Sequence, residues 1–93
     1  LFPYTTLFRS LSMYDPAGEK VFERKLDTVV DLMSIGPERI AFMGDGKLHI
    51  LSFSGKLLGS KTLDDSLVAL EWLDKLHLGV EYENRYEIYT CSY

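Results

Sequence analysis

The chain is poor in the residues that usually carry chemistry. It has one cysteine, Cys91, and two histidines, His49 and His77. A single cysteine forms no internal disulfide and builds no thiolate metal cluster. It reads as a small buried hydrophobe. The histidines are separated by a long stretch and have no cysteine at ligand spacing. They read as strand-face residues rather than zinc ligands, which need several convergent donors. Gly44-Asp45-Gly46 lacks the lysine and following helix of a phosphate-binding loop. Asp45 supplies one carboxylate where calcium needs several oxygens. Ser52, Ser54 and Ser60 lie near glycines, but no G-x-S-x-G elbow is present. No apolar run reaches the roughly 18–20 residues of a membrane-spanning helix. Basic clusters are also missing. The net charge is −4, which argues against a nucleic-acid backbone as partner. Glu71, Glu81, Glu83 and Glu87 make the C-terminal part acidic. They read as solvated strand faces and a polar turn rather than an acid–base pair. No cofactor and no catalytic residue is expected.

The first ten residues, LFPYTTLFRS, back-translate onto the end of a widely used short-read sequencing adapter. Residues 1–10 are therefore expected to be non-biological and are set aside from fold reasoning. Their removal takes away only the charge of Arg9, leaving the remainder more acidic still. The rest is expected to be a piece of a longer protein, with a strand-like run reaching Tyr93.

What the sequence does contain is alternation. In residues 47–53, Leu48, Ile50 and Ser52 fall on one face, and His49, Leu51 and Phe53 on the other. Both faces are largely apolar, as for a strand between two layers. Turn residues punctuate the chain at short intervals: Asp15-Pro16-Ala17-Gly18, Gly36-Pro37-Glu38, Gly44-Asp45-Gly46, Ser54-Gly55, Asp64-Asp65, Asp74-Lys75 and Glu83-Asn84-Arg85. Gly supplies positive φ in such turns, while Asp, Asn and Ser bond nearby backbone. The spacing predicts strands over 11–14, 20–26, 29–35, 39–43, 47–53, 56–63, 66–73, 76–82 and 86–92. Residues 65–73 have a competing helical reading with Asp65 as N-cap.

Shifting the chain against itself by about 37 residues brings two halves into register. Met13-Tyr14-Asp15 then falls on Ile50-Leu51-Ser52, Gly18 on Gly55, Leu26 on Leu63, Asp27 on Asp64, and Val30 on Leu67. A shift one residue longer pairs Leu48 with Tyr86 and Ile50 with Ile88. A period near 40 with four strands per unit is characteristic of β-propeller blades. A single such sheet cannot cover both of its apolar faces, so neighbours stack. The expected fold is all-β: antiparallel four-stranded blade repeats forming a fragment of a β-propeller. Residues 11–27 would be the last two strands of one blade, 28–65 a complete blade, and 66–93 a truncated third.

The segments LHILSFSGKLL, YDPAGEKVF and YEIYTCSY resemble the strand–turn–strand unit of bacterial propellers of the WD-repeat-like and quinoprotein-like kinds. The resemblance covers nearly all of residues 11–93. No Trp-Asp pair closes a third strand and no Gly-His pair opens a blade. The tryptophan docking motif of quinoprotein blades is also absent. The resemblance implies a non-catalytic scaffold that binds a protein or small ligand, located in the bacterial cell envelope or outside the cytoplasm. Any membrane anchor would belong to sequence outside this stretch. The alternative is a propeller domain of a larger hydrolase or quinoprotein dehydrogenase whose catalytic part lies elsewhere. Loops joining innermost to second strands would share one rim. Gly36, Pro37, Glu38, Asp74 and Lys75 are the contact candidates chosen on that ground.

Overall fold

A computed structural model describes residues 9–26, 28–63 and 66–92. The described residues form nine strands: β1 (Ser10–Tyr14), β2 (Lys20–Lys25), β3 (Leu32–Ile35), β4 (Arg39–Gly44), β5 (Lys47–Ser52), β6 (Leu57–Thr62), β7 (Leu67–Trp72), β8 (His77–Tyr82) and β9 (Tyr86–Thr90). All neighbouring strands are antiparallel. They form a first sheet of two strands, β1-β2, a central sheet, β3-β4-β5-β6, and a third sheet, β7-β8-β9. Each of the nine strands overlaps a segment expected from alternation and turn chemistry.

The differences lie at strand ends. The segment expected over 29–35 pairs only from Leu32. Asp31 N–H still donates to Met43 O at 2.8 Å, and Val30 is buried ahead of the strand. Phe53 belongs to the turn after β5. The helical alternative over 65–73 does not form, because the backbone of Leu67–Trp72 pairs with β8 instead. Leu67, Leu70 and Trp72 of β7 pack against the core. Tertiary pairing here outweighs a local helix propensity. Residues 1–8, together with Asp27, Asp64, Asp65 and Tyr93, lie outside the described residues. The described chain enters β1 at Ser10, and the Arg9 carbonyl accepts the Leu26 N–H at 2.7 Å.

The central sheet is covered on both faces. Ile40, Phe42 and Leu51 pack with Leu26 and Val30 against Leu11, Met13 and Phe22 of the first sheet. Ala41, Met43, Leu48 and Ile50 pack against Leu78, Val80 and Tyr82 of the third. Alternate residues of β4 and β5 therefore enter two different cores, which is why all six residues of β4 are buried. At one side β3 lies against β7.

The pairing registers duplicate along the chain. Ser10↔Lys25, Leu11↔Arg24, Ser12↔Glu23 and Met13↔Phe22, then a bulge before Tyr14↔Lys20, describe β1-β2. Lys47↔Thr62, Leu48↔Lys61, His49↔Ser60 and Ile50↔Gly59, then a bulge before Leu51↔Leu57, describe β5-β6. Every one of these positions differs by the offset that carries Ser10 to Lys47. The intervening turns match as well. Asp15 Oδ1 accepts the N–H groups of Ala17 and Glu19, both at 2.9 Å. Ser52 Oγ accepts those of Ser54 and Lys56, at 3.3 and 3.2 Å. Gly18 and Gly55 hold φ of 87° and 91° at equivalent places, a conformation that disfavours a Cβ. A second duplication relates β4-β5 to β8-β9. Arg39↔Ser52, Ile40↔Leu51, Ala41↔Ile50, Phe42↔His49 and Met43↔Leu48 become His77↔Thr90, Leu78↔Tyr89, Gly79↔Ile88, Val80↔Glu87 and Glu81↔Tyr86.

Candidate functional site

The turn between β3 and β4 and the turn between β7 and β8 are brought together. Glycine at 36 follows from its neighbour: a Cβ there would stand 2.5 Å from Cγ of Trp72. Trp72 is fixed over this turn by its indole N–H, which donates to Ser34 O at 3.1 Å, and by its backbone N–H to Ser34 Oγ at 3.3 Å. The buried Arg39 reaches across, and its Nη1 donates to the carbonyl of Lys75. The turns carrying Gly36 and Lys75 are thus linked by Trp72 and Arg39. Pro37 and Glu38 lie in the same turn as Gly36, and their side chains are exposed, as are those of Asp74 and Lys75.

Asp74 organises its own turn. Its Oδ1 accepts the N–H groups of Leu76 and His77, each at 2.8 Å, and both carboxylate oxygens lie 2.9 Å from His77 Nδ1. The Leu76 N–H first, and then His77, hold the Asp74 carboxyl below its ordinary value. Behind this turn the Cys91 N–H donates to Leu76 O at 2.7 Å. Burial pushes the Cys91 thiol up, with the charge of Arg39 pulling weakly the other way. A thiol held protonated and buried is a poor nucleophile.

The two histidines are on different sheets. His49 stacks on Phe42 with ring centroids 4.8 Å apart, and burial lowers its pKa. His77 is paired with Asp74. Among the described residues, no group of three or more His, Cys, Asp or Glu side chains is placed to hold a metal ion. Of the acidic residues, Glu87 is engaged by Tyr89 Oη at 2.8 Å and Arg85 Nε at 3.1 Å, which hold its carboxyl low. Tyr89 Oη also lies 3.2 Å from Tyr82 Oη, and the Arg85 guanidinium covers the Tyr82 ring at 3.9 Å. This network ties β8 to β9. Desolvation, then the hydrogen bond with Tyr82, raises the Tyr89 phenol far above its ordinary value.

One feature escaped residue-by-residue reading. A cleft of about 400 Å³ opens between the central and third sheets, lined by Leu48, Ile50, Ser60 and Lys61 on one side and Ile88, Tyr89, Thr90 and Cys91 on the other. It falls at the low end of the size range of ligand pockets. A smaller cleft of about 120 Å³, lined in part by Arg24, His49, Leu51 and Leu57, lies between the first and central sheets. The signal for the larger cleft was in the repeat. The central sheet has a strand, β6, outside β5, and the third sheet has none outside β9 among the described residues.

No protein-family model, curated protein or solved structure matches this chain.

Proposed function

We propose that this chain is part of a β-propeller scaffold that binds a protein or other ligand through rim loops and does not itself catalyse a reaction. The carrying observation is the duplication of strand registers, including a bulge at the same place in β1-β2 and β5-β6. Units of one register stacked face to face are how a propeller buries sheets that are apolar on both sides. Two exposed positions add support. Ile35, which occupies in β3 the place of Trp72 in β7, is 62% exposed because no earlier strand lies beneath it in the described chain. On the opposite side, Tyr86 and Ile88 of β9 are exposed. A binding role, rather than a catalytic one, follows the chemistry of the rim. Its thiol is buried, its carboxylate caps backbone, and its guanidinium is directed at a carbonyl. In repeat scaffolds, function sits in loops grafted onto the frame. The rim turns carrying Gly36, Pro37, Glu38, Asp74 and Lys75 are the contact surface of this reading.

Reading the gene outward on both sides of this segment tests the proposal. The expected result is further units of about 37–38 residues with the same turn pattern, enough to close a ring of about 4–8 blades. Flanking sequence with no such unit would overturn it. A catalytic domain joined to the same frame would replace the non-catalytic scaffold with an enzyme-borne propeller.

A further inference from the structure

We infer that the small cleft between the first and central sheets binds a phosphate group, with Arg24 as its principal cation and His49 beside it. The inference rests on the packing of these two sheets, and not on the rim turns or on closure of a ring.

Every wall of this cleft lies well inside the chain, on β2, β4, β5 and β6 and on the residues that follow β2. Arg24 faces the central sheet, because it alternates with Phe22 and stands opposite Leu11, both of which pack on that side. Its Nη1 donates to Gly55 O at 2.9 Å. A guanidinium carries several more N–H donors, so this bond fixes the side chain and leaves donors for a ligand. His49 lies across the cleft, stacked on Phe42. At about 120 Å³ the space corresponds to roughly four water molecules. That is too little for a drug-sized molecule and suits a single small oxyanion.

The repeat shows what is unusual about the charges. The register offsets relate Arg24 to Lys61, His49 to Glu87 and Leu51 to Tyr89. Between the central and third sheets, Lys61 covers the Tyr89 ring at 4.8 Å, and the hydroxyl of that ring donates to the Glu87 carboxylate. The cation there has an acid on the facing sheet. Between the first and central sheets a histidine stands in place of that acid. Lys25 also lines this cleft, and the charge of Lys47 reaches His49 along β5. None of the ion pairs among the described residues involves Arg24, Lys25 or Lys47. Glu23 points to the opposite face of β2 from Arg24 and is paired with Lys20 at 2.6 Å. Burial, then the charges of Lys47 and Arg24, lower the His49 pKa, while the Gly44 carbonyl acts weakly the other way. In an acidic chain, a partly enclosed space that gathers cations without an acid draws an anion. The planar fork of arginine matches two phosphate oxygens. A tetrahedral phosphate also suits donors arriving from two sheets better than a planar carboxylate does.

The test is an NMR titration of the full chain with inorganic phosphate, with sodium chloride reduced in step to hold the ionic strength constant. His49 and His77 are the two histidines and lie on different sheets, so one reports on the cleft and the other serves as control. The expected result is a saturable shift of the His49 ring resonances with His77 unmoved. The pH midpoint of His49 should rise by at least about 0.5, since a bound anion favours the imidazolium. Arg24→Gln should weaken binding at least roughly tenfold. That change also removes the bond to Gly55, so the exposed Lys47→Glu is the companion variant, expected to weaken binding about threefold. Phenyl phosphate binding more tightly than inorganic phosphate would assign the site to a phosphomonoester, its ring against Leu51 and Leu57; equal or weaker binding would assign it to the free ion. Absence of a saturable shift at His49 overturns the inference. So do equal shifts of the two histidines, which would report the solution and not a site, and so does unchanged affinity in either variant. Further repeats in the gene are not read by this experiment, so either proposal can fail while the other stands.

Discussion

The central and third sheets place equivalent residues in very different surroundings. Leu48 and Ile50 of β5 are 4% and 2% exposed; Tyr86 and Ile88, at the same places in β9, are 50% and 57% exposed. Strand, register and direction are the same in the two hairpins. What differs is the layer in front. The third sheet covers β5, while nothing in the described chain covers β9. Alternation of apolar side chains makes a strand with a sticky face. Whether that face becomes core depends on a neighbour whose presence is written elsewhere in the sequence.

The sharpest way to break this comparison is a charge at each of the two places. Ile50→Asp puts an unpaired carboxylate into the core and should cost at least about 4 kcal/mol, enough to unfold a small domain. Ile88→Asp should change stability by less than about 0.5 kcal/mol. Urea denaturation of both variants measures the difference. Equal losses would mean that the face of β9 is covered in solution.

A smaller contrast compares the innermost strands. Trp72→Ala removes the indole that lies over Gly36 and its bond to Ser34 O. The expected loss is about 2–3 kcal/mol, since a large ring and a part-buried hydrogen bond go together. Ile35→Ala, at the equivalent place in the central sheet, should lose less than about 1 kcal/mol. Thermal melts of the pair sharpen the claim that only one of these positions has a layer beneath it.

The two equivalent turns give a third contrast. Gly18 and Gly55 share a positive φ, but a Cβ at Gly18 meets nothing within 4 Å, while one at Gly55 would lie 2.8 Å from the Phe22 ring. Gly18→Ala should cost roughly 1–2 kcal/mol for the backbone conformation alone. Gly55→Ala should cost that and more, because Phe22 of the first sheet has to shift. Chemical denaturation that ranks them in the opposite order would remove Phe22 from the turn.

The smallest effect is a pH dependence in the turn between β7 and β8. The Asp74 carboxyl is held below its ordinary value in the folded chain. A depressed carboxylate stabilises the fold at pH above its unfolded value of about 4, and that contribution is lost as the pH falls through the folded value. Asp74→Asn should therefore flatten the acid side of the stability profile below about pH 4. A profile that parallels the parent's throughout would show that the Leu76 and His77 bonds do not bias this carboxyl.

Much of this architecture was legible before any coordinates. Period-two alternation and short turns placed nine strands, and Asp15-Pro16-Ala17-Gly18 announced its turn by residue type alone. The apolar character of both faces of 47–53 told that the strand lay between layers. Strand ends were less visible. Val30 is as apolar as a strand residue but is buried ahead of β3, and nothing in its type distinguishes the two cases. The turns at 36–38 and 74–75 were chosen by their order along the chain, yet the group that reaches from one to the other, Arg39, was not singled out. An arginine at a strand start is ordinary. Only the packing of β3 against β7 brings the Lys75 carbonyl within its reach. The cleft was hidden for a similar reason, since it is made by residues of two sheets and by the space beside β9.

The sequence alone determined strand-forming periodicity, turn chemistry and an offset at which both recur. These are local properties, set by side-chain alternation and by the backbone preferences of Gly, Asp and Ser. Tertiary structure decided which apolar faces became core and that residues 67–72 paired as a strand instead of coiling into a helix. Those outcomes depend on pairing and stacking between segments far apart in the chain, and no local pattern encodes whether a neighbouring layer is present.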